Sequence, residues 1–135
     1  MRLPPRLPVI WVGSSREDLK ACPESVHSVM GKALLQVQLG QIPRIGKRLK
    51  GQLSGLVELV DAFDGDTYRA IYTLKLAGVV YVLHVFQKKS THGIATPKHL
   101  VDLILQRLRT AQAHHAEHFE TVSYTHLTLP TSDLV

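Results

Sequence analysis

The chain reads Tyr81-Val82-Leu83-His84-Val85-Phe86-Gln87-Lys88-Lys89-Ser90 in its central part. Apart from one histidine, the first six residues are aromatic, β-branched or aliphatic, and residues of this kind favour a buried β-strand. The run then ends abruptly in two lysines and a serine hydroxyl. A buried strand with a cationic end places positive charge at the rim of the core. We therefore predict that this end faces an anionic ligand.

Two further strands are predicted just upstream of this run. Apolar and β-branched residues are dense from Gly55 to Phe63 and from Thr67 to Leu76. The three segments are separated by Asp64-Gly65 and Ala77-Gly78, and dipeptides of this kind favour tight hairpin turns. Because short turns join antiparallel neighbours, the region predicts an antiparallel meander.

A strand and two helical segments are predicted before the meander. The strand covers Pro8 to Val12, and a helix cap at Ser14 or Ser15 follows it. From Pro23 to Val37, apolar residues recur at spacings of three and four positions, which predicts an amphipathic helix. Gly40 offers the C-terminal stop of that helix.

A third helix is predicted after the meander. Thr96-Pro97 is a helix-start signal, and apolar residues then follow with helical spacing up to Ala111. One amphipathic face of this helix should cover the sheet. The fold class predicted from the element order is α+β, with a C-terminal helix after the sheet.

Composition predicts one soluble domain. The chain has 135 residues, 44% of them hydrophobic, which is enough for one core. No window approaches the roughly 18 consecutive apolar residues of a membrane span, and the N-terminus lacks a signal-peptide core. A lone cysteine, Cys22, fits a reducing cytoplasm. We therefore expect a cytoplasmic protein without membrane contact.

The last residues differ from everything before them. Residues 122–135 contain one formally charged side chain, Asp133, and no helical or strand period. This string resembles the translation of a sequencing-adaptor read-through. We therefore expect a single domain over residues 1–121 and a non-native tail over residues 122–135.

Positive charge is concentrated before the meander. The net charge is +5, and the segment from Arg44 to Lys50 carries much of the excess. Lys47, Arg48 and Lys50 are candidates for contacts with an RNA backbone, which give salt-dependent affinity rather than base specificity. The alternatives are a solvated basic loop or the docking site of an acidic segment of a partner.

The order of these motifs resembles that of the phage-derived HigB-like branch of the RelE/ParE toxin superfamily. The similar segments are Gly65–Tyr72 with its Tyr-Arg pair, Val80–Ser90 with its Phe-x-Lys-Lys ending, and Gly93–Pro97. The resemblance spans residues 9–117. It implies a RelE-like fold, in which an N-terminal strand and a helical pair pack on an antiparallel sheet of three to four strands.

The resemblance implies the toxin of a type II toxin–antitoxin system. HigB-like proteins are similar to ribosome-dependent endonucleases that cut messenger RNA and pair with a helix-turn-helix antitoxin. The implied partners are therefore the ribosome, messenger RNA and that antitoxin. ParE-like members act on DNA gyrase, so a non-enzymatic gyrase inhibitor is the alternative. An inactive phage remnant that binds only an antitoxin is a third possibility.

Three basic residues are candidates for catalysis of RNA cleavage. Arg69 comes first, because a guanidinium is permanently charged and can donate two parallel hydrogen bonds to a phosphate. Its alternative role is a salt bridge with Glu58 or Asp61. Lys88 and Lys89 should point to opposite faces of the strand, so one is expected at the scissile phosphate and the other in looser RNA contact. A charged strand end that discourages edge pairing is their alternative role.

Two histidines and one tyrosine complete the candidate set. His84 shares strand parity with Phe86 and Lys88 and suits proton transfer, although a hydrogen-bonded core histidine is equally expected there. His92 follows the lysines and could contact RNA, or be solvated. Tyr72 could stack on a base, although its strand face, opposite Arg69, also suits the core.

No cofactor and no metal site are predicted. Attack by the ribose 2′-hydroxyl requires proton transfer and charge stabilisation, which side chains can supply. Three histidines lie close together after the third helix pattern, but no cysteine or carboxylate completes a catalytic metal centre with them. These histidines are His114, His115 and His118.

Overall fold

A computed structural model describes residues 6–89 and 96–120 of the chain. The strands are β1 (Val9–Trp11), β2 (Gly46–Arg48), β3 (Leu56–Phe63), β4 (Asp66–Thr73) and β5 (Val80–Lys89). The helices are α1 (Ser15–Lys20), α2 (Glu24–Gln38) and α3 (Lys98–His115). A short 3-10 helix (Gly51–Leu53) precedes β3, and a π-helical turn (Ala116–Glu120) follows α3.

The strands form one mixed sheet in the order β1-β5-β4-β3-β2. The three predicted meander strands pair antiparallel, and β2 pairs antiparallel with β3. The antiparallel part therefore has four strands, within the predicted range. The predicted N-terminal strand adds a fifth, because β1 pairs parallel with β5 from Val9↔Val80 to Trp11↔Val82. The α+β prediction is confirmed, with a mixed rather than purely antiparallel sheet.

The turn between β3 and β4 is the tight hairpin that Asp64-Gly65 predicts. Both residues have positive φ, +54° and +85°, and this left-handed backbone matches the twist of a two-residue hairpin. Gly65 adopts it without a Cβ clash. The turn fixes the register of the two strands, so that Val60 lies opposite Arg69.

One face of the sheet packs against α1 and α2. Gly40 has a φ of +85° and ends α2 as predicted. The side chains that α2 buries recur at three and four positions and meet alternate residues of β3, β4 and β5. Those of α2 are Val26, Met30, Ala33, Leu34 and Val37.

The other face of the sheet packs against α3. Ile104 and Ala111 of α3 are fully buried in a second cluster with Leu56, Ile71 and Leu83. The sheet therefore has a core on each side. None of the helices within residues 6–89 and 96–120 combines the length and the hydrophobicity of a membrane span. The predicted tail, residues 122–135, lies outside the described residues.

A β-bulge interrupts the pairing of β4 with β5. Ile71 lies opposite His84, whereas the next residue, Tyr72, lies opposite Val82. Leu83 is therefore the extra residue of the bulge. From His84 onward, strand parity is regular, so His84, Phe86 and Lys88 share a face as predicted.

Candidate functional site

The α3 side of the sheet is covered at one end and accessible at the other. Helix α3 packs over the residues near the start of β5, while side chains toward the β3–β4 hairpin are partly or fully exposed. We call this accessible part the open face and define it by its residues. They are Lys47, Glu58, Val60, Thr67, Arg69, Phe86 and Lys88, which share one side of the sheet by register.

Arg69 and Glu58 form an ion pair at the centre of the open face. Arg69 Nη1 donates to Glu58 Oε1 at 2.7 Å, and the two side chains are 22% and 4% exposed. The alternative role weighed for Arg69, a salt bridge with Glu58, is therefore present. The remaining guanidinium edge contains Nε, which is buried and has no acceptor among the described residues.

Lys88 lies beside Arg69 on the same face. It is opposite Thr67, two pairs along from Arg69↔Phe86 and therefore on the same face, which makes it a diagonal neighbour of Arg69. Diagonal side chains in such a pair lie within reach of one long side chain. Lys89 pairs with Asp66, the first residue of β4. The register thus puts Lys88 on the side of the sheet that carries Arg69.

The basic segment is divided between the two sides of the sheet. Lys47 lies opposite Glu58 and belongs to the open face, whereas Arg48 lies opposite Val57, which packs in the α2-side core. Lys50 precedes the 3-10 helix and lines a cleft with Thr96 at the start of α3, next to the covered part of the same side. The register therefore puts Lys47 on the same side of the sheet as Arg69 and Arg48 on the other side.

His84 is a buried neighbour of the open face. It is 8% exposed, and its ring stacks on Phe86 with centroids 5.0 Å apart. Burial lowers the pKa of His84, and the nearby Arg107 lowers it further, while Asp18 opposes the shift. The imidazole is therefore neutral at neutral pH. Both roles weighed for His84 are compatible with this position at the border of the core.

Tyr72 does not reach the open face. It is fully buried on the α2 side of the sheet, and its hydroxyl has no hydrogen-bond partner among the described residues. The ring could stack on a base only if the core opened. The prediction of Tyr72 as an RNA contact is therefore wrong for this structure. Strand alternation puts the Tyr72 side chain on the α2 side of the sheet and the Arg69 side chain on the other side. His92, the remaining candidate, lies outside the described residues.

The histidines at the end of α3 secure that helix to the sheet. His114 Nδ1 and the Tyr81 hydroxyl are 2.9 Å apart, and His115 Nε2 lies 2.9 Å from the carbonyl oxygen of Ala77. Burial raises the pKa of Tyr81 to about 12, so the phenol is protonated and can donate to the imidazole. Within residues 6–89 and 96–120, no three His, Cys, Asp or Glu side chains converge to hold a metal ion.

A second cleft opens where α1 meets α2, and Phe86 of the open face lines part of it. It has a volume of about 440 Å³ and is lined by Asp18, Ala21, Cys22, Pro23, Tyr68, Phe86 and Gln87. None of these lining residues is a lysine or arginine. Burial, reinforced by Asp18, raises the pKa of the Cys22 thiol, which disfavours a nucleophilic thiolate. The charge distribution therefore favours the open face as the site for a polyanion.

Comparison with protein families assigns the chain. The model of the family described as phage-derived protein Gp49-like (DUF891) matches residues 17–109. The chain belongs to the Gp49-like family. This Gp49-like assignment confirms the resemblance to a phage-derived group, and the matched segment contains the open face, His84 and Arg107.

Comparison with solved structures gives a distant similarity. The Gp49-like chain is similar to a chain of the toxin–antitoxin complex RelBE2 from Mycobacterium tuberculosis, with 20% sequence identity and a TM-score of 0.47. The similarity covers 62% of this chain and 99% of the other. No curated protein matches the sequence.

Two residues in or beside the candidate site of this Gp49-like chain had weak or absent signals of their role in the sequence. Glu58 was considered as an ion-pair partner of Arg69, but a strand glutamate carries no local sign of being buried. Arg107 was not predicted at all. It lies on a helix with other basic residues, and its contacts reach segments distant in sequence, at Ser14 and Leu83.

Proposed function

We propose that this Gp49-like protein is the toxin of a toxin–antitoxin pair and that it cleaves messenger RNA on the ribosome. The observation that carries the proposal is the open face, where the Arg69–Glu58 pair lies between Lys47 and Lys88. One buried carboxylate among several cations suits a reaction that needs both phosphate binding and proton transfer. The Gp49-like family membership is consistent with it.

The residues of the open face can be given roles in RNA cleavage. The ribose 2′-oxygen attacks the adjacent phosphorus, and the bond from phosphorus to the 5′-oxygen breaks. The proton of the 2′-hydroxyl passes to Glu58, and the leaving 5′-oxygen takes a proton from water. The products are a 2′,3′-cyclic phosphate and a 5′-hydroxyl end. Arg69 binds the phosphate oxygens as negative charge develops on them, and Glu58 orients its guanidinium.

The lysines of the open face supply affinity rather than chemistry. Lys47 and Lys88 lie on either side of the central ion pair and can contact phosphates on both sides of the scissile bond. Such contacts position a nucleic acid without reading its sequence. Lys50 extends this basic surface toward the start of α3, where it lines a cleft with Thr96. Lys89 and His92 remain predicted contacts with RNA.

The proposed partners follow from the same charge distribution. A chain with a net charge of +5 attracts polyanions such as ribosomal and messenger RNA. The same cations would attract an acidic segment of an antitoxin, which we propose to be a helix-turn-helix protein. A ribosomal target places the toxin in the cytoplasm.

Inducible expression of the full chain tests the proposed function. Protein synthesis and growth should stop after induction, and new messenger RNA ends should appear at a fixed position within codons. The ends should carry 5′-hydroxyl groups. Intact messenger RNA together with inhibited DNA supercoiling by gyrase would support the ParE-like alternative instead. A folded protein that causes no arrest would support an inactive remnant that binds only an antitoxin.

Two neighbouring residues provide a matched test of the open face. Lys47→Ala should weaken binding to a short RNA and reduce the slope of log affinity against log salt by about one, because one phosphate contact is lost. Arg48→Ala removes the same charge from the other side of the sheet and should change the slope little. Binding titrations at several salt concentrations compare the two. Equal losses in both variants would contradict recognition through the open face.

A further inference from the structure

The β-bulge places a backbone carbonyl oxygen and a histidine ring where one helix residue can contact both. Leu83 is the extra residue, and the His84 side chain lies on the same side of the sheet as α3. Arg107 of α3 reaches this point. Its Nη1 donates to the Leu83 carbonyl oxygen at 2.9 Å and lies 3.1 Å from His84 Nδ1. The guanidinium of Arg107 therefore links α3 to the bulge of β5 and to the His84 imidazole by hydrogen bonds.

The position of Arg107 is fixed from a third direction. Its Nη2 donates to Ser14 Oγ at 3.1 Å, and Ser14 Oγ donates to Asp18 Oδ2 at 2.8 Å. The guanidinium also lies over Gly13, where an added Cβ would be 2.8 Å from its central carbon. A side chain at that position would displace the guanidinium. Arg107 is thus held between α3, the β-bulge and the segment that leads into α1.

The chemistry of the guanidinium determines which nitrogen of His84 carries a proton. An arginine side chain has five N–H donors and no acceptor, and it keeps its charge in proteins. His84 Nδ1 must therefore accept the hydrogen bond with its lone pair. In a neutral imidazole the single proton is then on Nε2.

The surroundings of His84 keep the ring neutral. Charged groups that act on it are Arg107, which opposes protonation, and Asp18, which favours it. Burial is the largest cause of the lowered pKa, ahead of Arg107, and Phe86 covers one face of the ring. The ring is therefore fixed by stacking and by one hydrogen bond, beside the Arg69↔Phe86 pair of the open face.

We propose that Arg107 is a positioning residue that holds His84 as the neutral Nε2–H tautomer, so that the imidazole serves RNA cleavage as a hydrogen-bond donor and not as a proton acceptor. This inference rests on the proposed function for its role in cleavage. It directs the Nε2–H of His84 to a phosphate oxygen or to the leaving 5′-oxygen. With His84 acting as a donor, Glu58 of the open face is the group that accepts the proton of the 2′-hydroxyl.

The tautomer is tested by nitrogen NMR of the full chain labelled with ¹⁵N. Long-range proton–nitrogen correlations should show His84 with a bare Nδ1 and a protonated Nε2 at neutral pH. The exposed residues His27 and His99 provide internal references for averaged tautomers. In Arg107→Met, the His84 pattern should shift toward that average. Arg109→Met changes an exposed arginine on the same helix and should leave the pattern as in the wild type.

A protonated Nδ1 in the wild type, or an unchanged pattern in a folded Arg107→Met protein, would overturn the proposal. If Arg107→Met does not fold, Arg107→Lys serves in its place with the opposite expectation. A lysine ammonium has three N–H donors and no acceptor, so it should still donate to His84 Nδ1 and keep the proton on Nε2. An averaged pattern in a folded Arg107→Lys protein would overturn the proposal. This measurement requires no RNA and is therefore independent of the proposed function.

The role in cleavage is tested with substitutions of His84 itself. His84→Ala should lower the rate of RNA cleavage on the order of a hundredfold, as expected for loss of one oriented donor. His84→Gln places an amide N–H near the position of Nε2 and should restore part of the rate. Equal rates in both variants would overturn the donor role even if the tautomer is as proposed. A wild type without cleavage would instead refute the proposed function.

Discussion

Replacing Arg69 with alanine should abolish RNA cleavage and the growth arrest that follows from it. Loss of an oriented donor to the transition-state phosphate lowers a rate on the order of a thousandfold. Arg69→Lys should lose most of the activity as well, because a lysine cannot donate two parallel hydrogen bonds in a fixed plane. Primer extension on a ribosome-bound messenger RNA measures the effect.

A control must separate this loss from misfolding. Arg69→Ala leaves Glu58 buried without its partner, which destabilises the fold by roughly 3 kcal/mol or less, since Arg69 is partly exposed. The double variant Arg69→Met/Glu58→Gln removes both charges and should fold normally. It should also be inactive. If this folded double variant cleaves RNA like the wild type, the pair is a structural salt bridge and the open face is not the catalytic site.

Replacing Tyr72 with alanine should unfold the protein or bring it close to unfolding. The side chain is fully buried, and deletion of a buried aromatic ring costs about 3–5 kcal/mol. That loss is a large part of the stability of an ordinary domain. Chemical denaturation monitored by circular dichroism gives the difference in the free energy of unfolding.

Tyr72→Phe should leave both stability and cleavage nearly unchanged. The Tyr72 hydroxyl has no hydrogen-bond partner among the described residues, so its removal leaves no group unsatisfied. Tyr81→Phe is the matched comparison, because it removes a hydroxyl that contacts His114 at 2.9 Å and should cost about 1 kcal/mol. A folded Tyr72→Phe protein with impaired cleavage would show that the hydroxyl contacts substrate after all.

Local chemistry made most of the fold predictable. The Asp64-Gly65 turn, the Gly40 helix stop and the Pro97 helix start all act within a few residues, and the structure has each in place. Strand alternation also predicted correctly that Arg69 and Tyr72 lie on different faces of the sheet. These signals depend on backbone conformations that the residues favour by themselves.

Pairings between distant segments were harder to predict. Strand β2 has three residues in a basic segment without an apolar pattern, and it forms because β3 offers it an unpaired edge. The bulge at Leu83 changes the parity of β5, yet no glycine marks it. Within the site, Arg107 and Glu58 acquire their roles from contacts with other elements. Periodicity carries no information about such contacts.

The parallel pairing of β1 with β5 also determines the order in which the chain can fold. Residues 9–11 are made early, but their partners at 80–82 are made after α2 and the first hairpin. Closing so long a loop is slow compared with helix or hairpin formation. The hydrogen bond from Ser15 Oγ to the Val82 carbonyl oxygen likewise cannot form before β5 has been made. A nascent chain therefore cannot complete its sheet until β5 has emerged from the ribosome, which ties the finished fold to the last part of synthesis.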